Sequence, residues 1–158
     1  MRLSAREYFE RAREAALDAE RIRRQLAAMD EGSQGLAAGD FSPRVRRTPD
    51  PGRLAARAVA NIEQSERLER RQGEDYLIID AACDLLYGPD NKGGLYALVG
   101  WPADAIYHHY LGLRPWSEVG EMMSYHPRYV QDRVAMAFEL ADSNGLFWTR
   151  LGQGMAEA

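Results

Sequence analysis

Several side chains in this 158-residue sequence are of types that ligate metals or act as nucleophiles, but their spacing predicts neither a metal site nor a catalytic site. His108 and His109 are adjacent, so on a helix they point to different sides and do not form the i, i+4 pair of a zinc helix. Cys83 is the only cysteine, which excludes a disulfide within the chain and a zinc site of four cysteines. Asp90 and Asn91 lie in a turn-rich segment that lacks the alternating ligands and the terminal glutamate of a calcium loop. We therefore expect no enzyme, no cofactor and no bound metal.

Residues 103–142 contain a pattern of apolar and small side chains that predicts three short helices, at 103–111, 116–123 and 127–142. The residues expected to face inward recur at helical spacing. They are Ala103, Ile106, Tyr107, Tyr110, Trp116, Val119, Met123, Val130, Val134, Ala137, Phe138 and Ala141. Gly120 is the small residue that a close crossing of the second and third helices requires, and Tyr125 is expected to fill the junction at the turn. This spacing is typical of a helix-turn-helix unit.

The N-terminal segment predicts one long helix from Leu3 to about Glu31. Ser4 and Glu7 have the spacing of a capping box, in which each side chain bonds the backbone N–H of the other residue. Apolar residues alternate three and four positions apart, which is the heptad seam of a coiled coil. The seam consists of Ala5, Tyr8, Ala12, Ala15, Ala19, Ile22, Leu26 and Met29. Because a seam of small residues buries little area, we expect this helix to pack on a second helix of the same chain or on another copy.

Glycine and proline recur at short intervals in residues 32–50, and this composition predicts a flexible linker. The linker contains Arg44, Arg46 and Arg47, which serve either as a solvated face or as a contact to nucleic acid. A second helix is expected to begin at Pro51, to break or bend at Gly73, and to end at Gly88. Its predicted stripe consists of Leu54, Ala58, Ile62, Ser65 and Leu68, followed by Tyr76, Ile79, Cys83 and Leu86.

The predicted elements indicate an all-α protein with two parts. Residues 1–88 are expected to form an N-terminal helical hairpin or coiled coil, and residues 89–158 a C-terminal three-helix domain with the helix-turn-helix. The apolar runs are short, such as residues 76–79, far below the roughly 18 residues that cross a bilayer, and no apolar leader follows Met1. We expect a cytoplasmic protein that does not enter a membrane.

Four stretches of the predicted helix-turn-helix resemble region four of sigma factors. They are Tyr110-Leu111, Trp116 to Gly120, Tyr125 to Val130 and Ala137 to Leu140. The similarity is greatest to the version found in phage and prophage regulators of the RinA and ArpU type. It covers residues 103–142 closely and residues 1–88 only in general character. The resemblance implies a phage or prophage transcriptional regulator that binds double-stranded DNA in a sequence-specific manner.

The resemblance also implies which residues meet DNA. The third helix would lie in the major groove, where arginine can bond guanine and glutamine can bond adenine through paired hydrogen bonds. The residues at the start of that helix are Arg128, Tyr129, Gln131, Asp132 and Arg133, and Ser117 would contact a phosphate at the start of the helix before it. Each of them is otherwise an ordinary exposed helix residue. Arg44, Arg46 and Arg47 are the predicted contacts to the DNA backbone.

The charge of the sequence is uneven. The net charge is −4, but residues 1–73 contain 15 basic and 12 acidic side chains, whereas residues 74–158 contain 5 and 12. Residues 101–142 contain 3 basic and 6 acidic side chains, and phosphate neutralisation supplies most non-specific affinity for DNA. DNA binding is therefore expected to need the arginine-bearing linker, a homodimer or an RNA polymerase partner. The alternative is a non-enzymatic phage assembly or protein-interaction protein that uses the same helices.

Overall fold

The computed structural model of the protein describes residues 3–37 and 51–153, with the side chains of residues 3–31 and 52–153. Every regular element in those ranges is helical, so the predicted all-α class is confirmed. The helices are α1 (Ala5–Ala37), α2 (Pro51–Tyr87), α3 (Gly94–Val99), α4 (Pro102–Ile106), α5 (Trp116–Met123), α6 (Pro127–Asn144) and α7 (Leu146–Arg150). A 3-10 turn covers Pro89–Asn91, and a π-type turn, Tyr107–Leu111, continues α4. The sequence pattern missed α3 and α7, which are only 6 and 5 residues long.

The first helix begins at the predicted capping box. The backbone N–H of Ser4 donates to Glu7 Oε2 at 2.9 Å, and the N–H of Glu7 donates to Ser4 Oγ at 3.2 Å. These hydrogen bonds lower the pKa of the Glu7 carboxyl. The helix continues to Ala37, so the prediction of a linker over residues 32–37 is wrong. Each of the two glycines near the end of this helix lowers helix stability by only about 1 kcal/mol relative to alanine, and a long helix tolerates that loss. The rest of the predicted linker, with Arg44, Arg46 and Arg47, lies outside the described residues.

Helix α2 runs without a break through Gly73. Its buried and half-buried side chains form a heptad seam that differs in part from the predicted stripe. The seam consists of Ser65, Leu68, Gln72, Asp75, Ile79, Ala82 and Leu86, four of which belong to the predicted stripe. The predicted positions Leu54 and Ile62 are 46% and 58% exposed, so the stripe is wrong at the start of the helix, whereas its later members Ser65 and Leu68 are half-buried and buried as predicted. Two polar residues, Gln72 and Asp75, occupy the seam, which is why the predicted pattern did not find all of it.

The chain forms two compact units. One consists of the residues up to Leu17 together with those from Asp75 onward, and the other consists of Asp18–Glu74. Both long helices pass through the unit boundaries. The predicted division between residues 88 and 89 falls inside the first unit.

The core of the first unit includes the start of α1. Phe9 is fully buried, and its ring stacks on Phe138 of α6 at 5.7 Å between centroids. The carboxylate of Asp142 accepts a hydrogen bond of 2.6 Å from the N–H of Ala5. The heptad seam assigned Tyr8 to the buried face, and Tyr8 is half-buried against the core, but Phe9, which the seam did not include, is fully buried at this end of α1.

The second unit pairs the later part of α1 with the first part of α2. Ile22 and Leu68 are buried. Arg71 donates two hydrogen bonds of 3.0 Å to the two carboxylate oxygens of Asp18, a bidentate pairing that also fixes geometry. Gln72 Nε2 donates to the carbonyl of Ala19 at 3.3 Å, which supplies a partner for one polar residue of the seam.

Candidate nucleic-acid interface

Helices α5 and α6 pack against each other and approach most closely at Gly120. A Cβ atom at Gly120 would lie 2.8 Å from the carbonyl oxygen of Tyr125 and 3.0 Å from Cγ of Pro127. Real Cβ atoms are essentially never found within 3.0 Å of such atoms, so the predicted need for a small residue at this position is confirmed.

The connection between the two helices is a tight turn. Ser124 has a left-handed backbone with φ 62°, and the N–H of Tyr125 donates to the carbonyl of Gly120 at 3.0 Å, the 6→1 bond of a Schellman cap. His126 then caps α6, because its Nδ1 accepts a hydrogen bond of 3.2 Å from the N–H of Arg128. Histidine is a weaker capping choice than serine, yet here it does the capping. Pro127 follows as the first helical residue, as predicted.

The buried face of α6 leaves the predicted contact residues exposed. The five residues expected to face inward are all buried: Val130, Val134, Ala137, Phe138 and Ala141. The predicted contact residues Arg128, Tyr129, Gln131, Asp132 and Arg133 are all exposed on its first two turns, and Ser117 is exposed in the first turn of α5. Helical spacing places Arg128, Gln131 and Asp132 on one side and Tyr129 and Arg133 on the next.

An aromatic cluster of two exposed tyrosines and a half-buried tryptophan lies at the start of α6. The ring of Tyr125 stacks on Trp101 with 4.8 Å between centroids and also packs on Tyr129 at 5.1 Å. Because Tyr125 is 46% exposed, the prediction that it fills the helix junction is wrong, and Pro127 is the side chain that meets Gly120. Trp101 was not among the predicted site residues, although the concentration of aromatic residues after residue 95 in the sequence indicates an aromatic cluster in this region.

The arginines of this region differ in their partners. Arg114 forms an ion pair with Glu118 on α5. Arg133 donates to the Tyr129 hydroxyl at 3.1 Å, and its guanidinium lies 5.3 Å from the centroid of that ring. Within the described ranges the ion pairs include Arg114 but neither Arg128 nor Arg133. No carboxylate of the described residues therefore neutralises the charge of Arg128, or that of Arg133 beside the Tyr129 ring.

The segment before α5 is anchored by a histidine. His109 stacks on Trp116 with 3.8 Å between ring centroids, and its Nδ1 lies 2.8 Å from the carbonyl oxygen of Arg114. Burial lowers the pKa of His109, which favours the neutral ring that this stack holds. Arg13 of α1 donates to the carbonyl of His109. His109 is thus a packing residue. Tyr107, the first residue of the π-type turn, is 37% exposed and not buried as predicted, whereas Tyr110 in the same turn is buried as predicted.

Replacing Gly120 by alanine is expected to lower the free energy of unfolding by about 1–3 kcal/mol, the usual cost of overpacking. The matched control is Gly73→Ala in α2, where a Cβ would meet nothing within 4 Å. That substitution should raise stability by about 0.5–1 kcal/mol, because alanine loses less entropy than glycine in a helix. Urea denaturation followed by circular dichroism measures both changes. Equal effects at the two positions would contradict the close approach of α5 and α6.

Among the residues that the structure describes, no three metal-binding side chains lie close enough together to hold an ion. In the same ranges, none of the helices combines the length and the apolar content that a membrane crossing requires.

Comparison with protein-family models, with curated proteins and with solved structures finds no match to this chain. The resemblance to region four of sigma factors therefore stays a prediction that rests on the residues quoted for it.

Proposed function

We propose that this chain is a sequence-specific DNA-binding transcriptional regulator, encoded by a phage or prophage, whose helices α5 and α6 form a helix-turn-helix. In this proposal α6 enters the major groove, and the paired helices α1 and α2 serve dimerisation or contact to RNA polymerase. The observation that supports it best is the surface of the first two turns of α6. There Arg128 and Gln131 are exposed on one side, while the opposite face is buried.

The chemistry of that surface suits base edges. Arginine and glutamine each present a planar pair of hydrogen-bonding groups that matches guanine and adenine in the major groove. Asp132 accepts hydrogen bonds and would discriminate in favour of the cytosine amino group. Arg133, held against Tyr129, supplies a positive charge at the edge of the same surface. The proposed reading surface therefore combines three groups that read bases with one that neutralises phosphate.

The backbone contacts of the proposed complex come from two places. Ser117 is exposed in the first turn of α5, where free backbone N–H groups favour a phosphate. Strong DNA binders make about 6–10 phosphate contacts, whereas one copy of this surface offers few positive charges. The proposal therefore includes two copies on a two-fold symmetric site, with Arg44, Arg46 and Arg47 as further backbone contacts.

A second candidate is a protein-interaction or phage assembly role. It is favoured by the exposed rings of Tyr125 and Tyr129 beside the half-buried Trp101, since aromatic residues are enriched at protein interfaces. The acidic balance of residues 101–142 favours it as well. In that case the same helices would bind a protein and show no preference among DNA sequences.

Selection of bound duplexes from a random pool, with the full-length protein at about 150 mM salt, separates the two candidates. Under the first, one sequence is enriched over successive rounds, and it contains guanine and adenine at neighbouring positions. Recovered duplexes that match the starting pool would contradict DNA reading and favour the protein-interaction role. Met136→Ala, at a 56% exposed position later on α6, is the control variant that should enrich the same sequence.

A further inference from the structure

An open groove lies on the first compact unit, away from the proposed reading surface. Its volume is about 290 Å³, and the apolar part of its lining comes from Tyr8, Leu85, Leu146 and Phe147. For comparison, an apolar cavity of about 150 Å³ is enough to bind a benzene ring. The groove therefore has room for an aromatic side chain from a second molecule.

The rim of the groove carries such a side chain. Phe147, at the start of α7, is 64% exposed and contacts the ring of Trp148 at 5.2 Å between centroids. The surface therefore has both an exposed phenylalanine ring and an apolar groove that can accept such a ring. Two copies related by a two-fold axis can therefore each insert Phe147 into the groove of the other.

The charges at the groove are also self-complementary. Asp84 and Arg150 both line it and form an ion pair with 3.4 Å between Arg150 Nη2 and Asp84 Oδ2. Their side chains are 49% and 46% exposed, so the pair contributes little to stability within one copy. A two-fold axis brings Arg150 of one copy to Asp84 of the other. The same two residues can thus form two ion pairs between copies at little cost.

We propose that this groove is the homodimer interface of the protein, with Phe147 exchanged between two copies and Asp84 paired with Arg150 across the two-fold axis. One positive and one negative charge give the groove no net attraction for a polyanion, so a second copy fits it better than DNA does. This inference deepens the two-copy arrangement of the proposed function by placing the contact between copies at the groove, and its tests use no DNA, so its failure and a failure of DNA reading are distinguishable.

The first test is the molecular mass of the full-length protein in solution, measured by sedimentation without DNA. The wild type is expected to have twice the mass of the 17.8 kDa chain. Phe147→Asp should raise the dimer dissociation constant at least about thirtyfold, as expected for an aromatic residue at the centre of an interface. Met136→Asp, on an exposed position of α6 outside the groove, should leave the dimer intact. A monomeric wild type at about 100 µM, or a dimer that Phe147→Asp does not weaken, would overturn the proposal.

The second test uses the charges and does not depend on Phe147. Asp84→Arg alone and Arg150→Asp alone each put like charges against each other across the axis, so each variant is expected to be monomeric. Mixed in equal amounts, they should form a heterodimer, because both ion pairs across the axis are then restored. A pair that acts only within one copy cannot be restored by mixing. A mixture that stays monomeric would therefore rule out the exchange.

Discussion

Replacing Arg128 and Gln131 together by alanine is expected to abolish the preference for the selected duplex over a scrambled one. Each paired contact to a base contributes about 1–3 kcal/mol of discrimination, so the two together correspond to a loss of at least about thirtyfold. Both residues are exposed on α6, and the fold is expected to tolerate both changes. Fluorescence anisotropy with the two duplexes at one salt concentration measures the ratio.

Arg128→Lys is the matched control for this prediction. Lysine keeps the positive charge but lacks the planar fork of arginine, so it cannot make the paired contact to guanine. We expect the variant to keep its affinity for scrambled DNA and its salt dependence, while losing discrimination at one base position. Unchanged discrimination in both variants would show that the bases are read elsewhere. A parallel loss for both duplexes would show that Arg128 and Gln131 contribute only general affinity.

The spacing of apolar residues predicted the elements around the candidate site well. In α6 the five residues from Val130 to Ala141 that were predicted to face inward follow a helical period, and the structure buries all five. Gly120 could be assigned because a close helix crossing leaves no space for a Cβ. Pro51 and Pro127 marked the first residues of two helices, since proline is favoured where no N–H needs a partner.

What the sequence did not show depends on contacts between distant residues. The seam of α2 includes Gln72 and Asp75, and Gln72 has its partner on α1, 53 residues earlier in the chain. The helix cap that Asp142 provides to Ala5 joins residues 137 apart. The stack of Trp101 on Tyr125 joins a residue before α4 to a residue after α5. The two residues of each pair lie far apart in the sequence, so no periodic pattern along the chain predicts these contacts.

The charged side chains of residues 101–142 differ in whether they have partners. By count, residues 101–142 are acidic, which argued against DNA. In the structure, Arg114 is paired with Glu118, while Arg133 is held by the Tyr129 ring and hydroxyl. A polyanion interacts with the charged side chains that remain available at the surface of α6. For that reason the net charge of the segment is a poor guide to this surface.

Phe9→Ala is expected to lower the free energy of unfolding by about 3–5 kcal/mol, the usual cost of removing a buried aromatic ring. Phe9 is fully buried, stacks on Phe138, and lies 6.2 Å from the Tyr110 ring centroid. Its loss leaves a cavity between α1, α6 and the turn that follows α4. Most single domains have a total stability of only about 5–15 kcal/mol, so the variant should unfold at a much lower urea concentration.

The control for Phe9→Ala is Leu77→Ala in α2, at a position 70% exposed, where the change should stay within about 0.5 kcal/mol. The contrast tests whether the first turns of α1 belong to the core that supports α6. If they do, Phe9→Ala also weakens DNA binding near its unfolding midpoint, although the substitution is far along the chain from the predicted contact residues. A change below about 1 kcal/mol at Phe9 would show that α1 is not part of that core.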